Sequence, residues 1–273
     1  MVLGRAKFYV GLIFNQHMKR FFFGTFFFLL ISGQVSANEK TDTTIRGVAI
    51  HFDYTPQIFP KSWLTEEINA HGVEISPLET DRCIVAMTKA VKKYPEQVLV
   101  ASLKGVYFLK SMEMFDVGFG GTNSRTAVYL TDEGEEHGYT DAYIEQTFHH
   151  EFSSILFRNF SAKLDTTAWK AAIIPGFDYN DPYEGVGAIR KNESSQQLDS
   201  ALSAKGFLTQ YALSGIENDI NTIAQNLFRP DEKFWGFVKY YPRIQKKVSL
   251  LIRFYHKVDP VFTEAYFKRF AGE

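Results

Sequence analysis

The stretch FHHEFSSIL, residues 148–156, decides how the rest of the chain is read. It falls one residue short of His-Glu-x-x-His, in which two histidines four apart on a helix hold zinc while the glutamate acts on a bound water. His150 and Glu151 are in place, and Ser154 stands where the second histidine would be. The helix carrying them is expected over Asp141 to Arg158, with Thr140 as its cap. Ile144, Phe148, Phe152 and Ile155 make an apolar stripe along it. Thr147, His150, Glu151, Ser154 and Arg158 fall on a neighbouring polar stripe, because 3.6 residues per turn stacks such positions. His149 points away from that stripe. Taken alone, the His-Glu pair is more simply read as polar residues on a half-exposed face, with Ser153 and Ser154 permitting close packing.

Working outward, RGVAIHFDY (46–54) alternates as a first strand, with residues 38–44 a loose polar leader and His51 a surface position. TDRCIVAMTKAVKKYP (80–95) reads as a helix capped by Thr80 and ended by Pro95. GVYFLKSMEMF (105–115) and TAVYLT (126–131) read as strands, and the glycine-rich DVGFGGTNS between them as a hairpin or wide loop. It has no lysine and no following helix of phosphate-binding type. After the motif helix comes an aromatic, Gly/Pro-rich loop and then GIENDINTIAQNLF (215–228), whose isoleucines and leucine recur at helical spacing. The C-terminus reads as two helices around Asp259-Pro260, Asp capping and Pro in the first turn. Strands first and helices after is the pattern of an α+β fold.

The chain has 273 residues, 45% apolar and 22% charged, with a net charge of −1. That suits one sizeable domain with a substantial core, and it gives no basic excess to attract nucleic acid or an anionic membrane. From Met18 the sequence runs Lys-Arg, an apolar stretch from Phe21 to Ile31, then Val35-Ser36-Ala37. This is the order of a cleaved secretory signal, too short for a comfortable membrane span. Residues 1–37 are therefore expected to be a signal peptide with a functional start at Met18, and 38–273 a single exported domain, periplasmic or secreted, without a stable membrane anchor. The lone Cys83 lies in an apolar helical pattern and reads as a buried structural thiol. No nucleophile elbow, phosphate-binding loop, Cys-x-x-Cys or calcium loop competes with the motif helix.

With these blocks in order, the sequence resembles the gluzincin-like zinc metallopeptidase family of bacterial cell envelopes. In that family a strand runs into a helix bearing His-Glu-Phe-x-His, followed by Gly-Phe-x-x-x-Tyr-Ala and a helix with Glu-Asp. The counterparts here are TAVYLT, FHHEFSSILF and GFLTQYALSGIENDINTIAQNLF, covering roughly residues 105–228. The resemblance implies a zincin-like domain with a small mixed sheet, an active-site helix and a helical C-terminal half beginning near residue 158. It implies zinc as cofactor, a peptide or protein as substrate, His150 and Glu217 as metal ligands, Glu151 as general base, and Tyr211 as an oxyanion stabiliser.

Ser154 departs from the pattern, since a neutral hydroxyl is a poor zinc ligand beside imidazole. Replacement by His149 or His137, or a harder metal on Glu145 and Glu217, are the conceivable rescues. Glu217 also has a local reading, because Ser214-Gly-Ile-Glu217 has the form of a capping box. Tyr211 reads equally as a core or loop anchor. Three functions stay open: an exported metallopeptidase with a non-standard site, an inactive homologue that holds a peptide or glycan, and an envelope interaction protein.

Overall fold

Arg46 and Gly47 both adopt positive φ, 51° and 78°, as a two-residue hairpin turn requires. The turn splits the first expected strand, so β1 (Thr43–Ile45) pairs antiparallel with β2 (Val48–His51). Residues 43–44, expected in a loose leader, thus belong to the sheet. The computed structural model describes residues 42–179 and 185–271, and the expected signal peptide lies outside the described residues. None of the described helices is long and apolar enough to cross a membrane.

After β3 (His71–Glu74) come α1 (Thr80–Lys92) and α2 (Glu96–Ser102), a crossover that brings β4 (Gly105–Met114) parallel to β2. Thr80 is the first residue of α1 rather than its cap, and its hydroxyl donates to the Pro77 carbonyl at 2.9 Å. The glycine-rich segment is not a simple loop. It carries β5 (Val117–Gly118) and β6 (Gly121–Asn123), and β7 (Ala127–Thr131) then returns parallel to β4. The sheet order is β1-β2-β4-β7-β6, with β3 and β5 on the far half of β4. β7 and the first half of β4, Gly105 to Leu109, are almost continuously apolar because central parallel strands are covered on both faces, whereas the second half of β4 carries the exposed Lys110 and Glu113. Val106, Phe108, Val128 and Leu130 face the main core with Cys83, Met87, Phe148 and Phe152. Leu109, Ala127 and Tyr129 face a smaller cluster closed by Phe59 and Trp63. Cys83 is buried as expected, and its thiol donates to Asp132 at 3.3 Å.

The motif helix is α3 (Asp141–Asn159), with Thr140 accepting from the Tyr143 amide. α4 (Thr166–Lys170), α5 (Val186–Arg190) and α6 (Ser200–Lys205) are short, and α7 (Ile216–Phe228) packs along α3. α8 (Phe234–Tyr240), α9 (Pro242–Val258) and α10 (Glu264–Lys268) complete the chain. Thr263, not Asp259, caps the last helix, because the chain turns once more after Pro260. The architecture is mixed α/β: one mixed sheet with α1 and α2 as a crossover within it, followed after β7 by the helical half α3 to α10.

Polar groups hold several of these helices together. Asp219 of α7 accepts at one carboxylate oxygen from Lys247 of α9 at 2.5 Å, Trp169 at 2.8 Å and Tyr179 at 2.5 Å. On the other side of α3, the fully buried His149 stacks on Phe228, with ring centroids 5.0 Å apart, and its Nδ1 lies 2.9 Å from the Tyr94 hydroxyl. Glu145 stands beside it, 2.8 Å from Lys93 and 3.3 Å from Arg229. Burial pushes the His149 pKa down to about 4. Burial alone would raise Glu145, but its hydrogen bond and charge contacts to His149 and Lys93 outweigh that and bring it to about 2.

The folded value of His149 lies below its ordinary one of 6.5, so between the two the unfolded chain binds more protons and stability rises with pH. Denaturant unfolding is expected to show stability falling by up to about 3 kcal/mol from this group as pH drops from about 6.5 to about 4. The fall is expected to be smaller in His149→Gln. Below about 4.5, protonation of Glu145 adds a further loss.

Candidate functional site

The middle of the polar stripe of α3 is buried, while Thr147 at one end is partly covered and Arg158 at the other is exposed. His150, Glu151 and Ser154 retain 6%, 9% and 2% of their surface, because α7 lies against them. α7 runs antiparallel to α3, so positions four apart on one helix meet positions four apart on the other. His150 Nδ1 lies 2.7 Å from Gln225 Oε1. One turn on, Asn221 Nδ2 donates to Ser154 Oγ at 2.6 Å. One turn further, Arg158 donates to Glu217 at 2.8 Å. The result is a ladder of three polar rungs whose register leaves Glu217 opposite Arg158.

Glu217 is thus two turns, about 11 Å, along the ladder from the His150 rung. It makes no capping box. Gly215 is the N-cap of α7, and Ser214 instead donates to the Tyr211 carbonyl at 2.7 Å and accepts from Asn218 at 2.8 Å. Asn221 and Gln225 were not among the sequence candidates. Their signal is the four-residue spacing of Glu217, Asn221 and Gln225, which matches that of Arg158, Ser154 and His150.

A cleft of about 310 Å³ opens beside the first rung, with His150, Glu151, Gln225 and Tyr211 in its lining. Tyr211 lies in a short 3-10 turn, Tyr211–Leu213, with its ring centroid 5.9 Å from that of His150. The opposite rim is the glycine lane Gly118 to Gly121. A Cβ on Gly121 would come within 2.4 Å of Thr147 Cγ2 and 3.2 Å of Glu151 Oε1, so α3 can approach β6 only across a glycine. Asn123 of β6 donates to Glu151 at 2.6 Å, and Arg158 donates to the side-chain oxygen of Asn123 and, at 3.0 Å, to the Ser124 carbonyl. Burial raises the Glu151 pKa, against the lowering effects of His150 and of the Asn123 hydrogen bond.

The structure thus brings His150, Glu151 and Tyr211 to one cleft and places Glu217 away from it, on Arg158. His149 is turned into the core beside Tyr94, Glu145 is engaged by Lys93, and His137 lies in the separate turn Glu135–His137. Among the described residues, no three His, Cys, Asp or Glu side chains are grouped so that they could hold a metal ion.

The backbone is similar to the crystal structure of a "putative zinc-binding metallo-peptidase" from Bacteroides caccae. The TM-score is 0.52 and the identity 15%, over 82% of this chain and 86% of that one. The likeness is one of fold. No protein-family model matches the chain, and no curated protein matches it significantly. A mixed α/β domain of metallopeptidase-like fold is therefore the common ground, and the chemistry of the cleft has to be argued from its own residues.

The Ser154–Asn221 rung gives a direct test of that geometry. Asn221 Oδ1 is buried without a partner, so its amide relies on the bond to Ser154. Ser154→Ala is expected to destabilise the fold by about 1–3 kcal/mol, the cost of a buried donor left unpaired. Ser154→Ala combined with Asn221→Leu is expected to recover most of that loss, as a denaturant double-mutant cycle would show.

Proposed function

We propose that this chain is an exported ligand-binding protein that uses the cleft of a metallopeptidase-like fold without a catalytic metal. The observation that carries this reading is the Ser154–Asn221 hydrogen bond. Zinc takes thiolate, imidazole or carboxylate ligands, and a catalytic site needs three of them around an open position. At the two positions that face each other beside His150, this chain offers a hydroxyl and a neutral amide, already bonded to each other. The carboxylate that the family resemblance nominates, Glu217, is bound by Arg158 a turn further away. The residues present do not fit the metal.

What remains is suited to binding. Gln225 fixes the His150 ring, Asn123 fixes the Glu151 carboxyl, and both are buried enough for hydrogen bonds to a ligand to be made with little competition from water. The hydrolytic alternative, with Glu151 as base and zinc on His150 and Glu217, draws on the retained His-Glu pair. It requires Arg158 to release Glu217 and the ladder to shift by a turn.

Zinc titration calorimetry on designed variants separates the two readings. The unaltered protein is expected to show no zinc binding at micromolar concentration. Adding Asn221→Glu to Ser154→His is expected to tighten zinc binding at least tenfold over Ser154→His alone. Removing Glu217 from the Ser154→His variant is expected to change nothing. Stoichiometric micromolar binding by the unaltered protein, lost in Glu217→Ala, would overturn the proposal.

A further inference from the structure

The cleft's lining is unusual in what it offers. Among the described residues that line it there is no lysine or arginine, and Glu151 is the single carboxyl. A phosphate, a sulfate or the carboxylate of a charged ligand would find no cation there. The polar groups are instead amides and hydroxyls: Gln146, Gln196 and Gln225, with Thr147, Ser194 and Tyr211. A glutamine amide carries an acceptor and donors in one plane; here Gln225 gives its oxygen to His150 and its nitrogen, at 3.5 Å, to Gln196 Oε1, so the Gln196 amide nitrogen is the donor left for a ligand hydroxyl. A neutral His150 ring that donates from Nδ1 to Gln225 Oε1, 2.7 Å away, has Nε2 as an acceptor. Gln146 commits its Nε2 to the Arg229 carbonyl at 3.0 Å, which leaves its oxygen to accept. The cleft therefore favours a neutral molecule with many O–H donors.

The apolar part of the lining points the same way. Tyr143, Phe119 and Tyr211 supply aromatic surface, which packs against the C–H face of a sugar ring. Phe119 belongs to the glycine lane, Tyr143 packs its hydroxyl end on Gly120, and Gly118 is left uncovered. At about 310 Å³ the cleft sits at the lower end of the range that encloses a small ligand. An extended peptide would instead add itself as a strand along an exposed sheet edge. Here β6 is only three residues long, Thr147 packs on Gly121, and Arg158 is tied to Asn123 and the Ser124 carbonyl.

We infer that the cleft between α3, the glycine lane and the Ser194–Gln196 segment binds a neutral glycan, reading ring hydroxyls with its glutamine amides and stacking the ring on its tyrosines. This rests on the metal-free reading and names the ligand class of the same site.

Calorimetric titration of the full chain with the neutral hexasaccharides cellohexaose, maltohexaose and N-acetylchitohexaose tests it, beside hexa-alanine capped at both ends. At least one hexasaccharide is expected to bind, and Gln196→Ala and Tyr143→Ala, both at exposed positions, are each expected to weaken binding tenfold or more. Three results would overturn the inference: no hexasaccharide binds, the capped peptide binds more tightly than every sugar, or neither substitution weakens sugar binding. Zinc titration of the unaltered protein keeps the two claims apart. A protein blind to both zinc and sugars loses only the glycan assignment, whereas stoichiometric zinc binding removes the reading beneath it.

Discussion

The hydrogen bond between Ser154 and Asn221 sets the character of this protein. It lies in the middle of the ladder that joins α3 to α7, at the level where a zinc site on such helices would need an imidazole and a carboxylate. An ion bound there would cross-link the two helices. Here neutral groups make the link, flanked by the His150–Gln225 bond on one side and the Arg158–Glu217 pair on the other. Neutral donors paired with neutral acceptors avoid the large desolvation cost of burying unpaired charge. The ladder can therefore close without a cation, and His150 and Glu151 remain facing the cleft as hydrogen-bonding groups.

The surroundings reinforce that arrangement. α7 is held from behind by the Asp219–Lys247 pair, in which a fully buried ammonium sits against the rings of Trp169 and Phe207. α3 is held on its other side by the cluster of Tyr94, His149 and Glu145. Both helices are thus polar on faces that are nevertheless buried, and each polar face has its own set of partners. Loss of one partner would strand a buried group, which ties the cleft's geometry to the stability of the fold.

Much of this was legible in the sequence. The motif helix, its Thr140 cap and its two stripes followed from periodicity, and so did the central strands. The resemblance carried by FHHEFSSILF and GFLTQYALSGIENDINTIAQNLF led to a metallopeptidase-like fold. Less legible were features set by contacts far apart in sequence. The hairpin at Arg46-Gly47 was hidden because arginine is an uncommon residue at positive φ. The parallel pairing of β4 with β7 was hidden because a glycine-rich connection reads as a hairpin. Local signals also favoured a capping box for Glu217, yet Arg158, 59 residues away in sequence, takes its carboxylate. The most consequential reading missed was that of Asn221 and Gln225. Side-chain amides announce no chemistry in a linear sequence, and only the register of two helices shows that they stand opposite Ser154 and His150.

On the proposed reading, the Ser154–Asn221 contact stands where a metallopeptidase of this fold would hold its zinc. Elemental analysis of protein purified without chelators measures this most directly. Less than about a tenth of an equivalent of zinc or any other transition metal per chain is expected, given that structural zinc sites with full ligand sets bind with roughly 10–16 kcal/mol. A content near one equivalent, retained through dialysis, would contradict it.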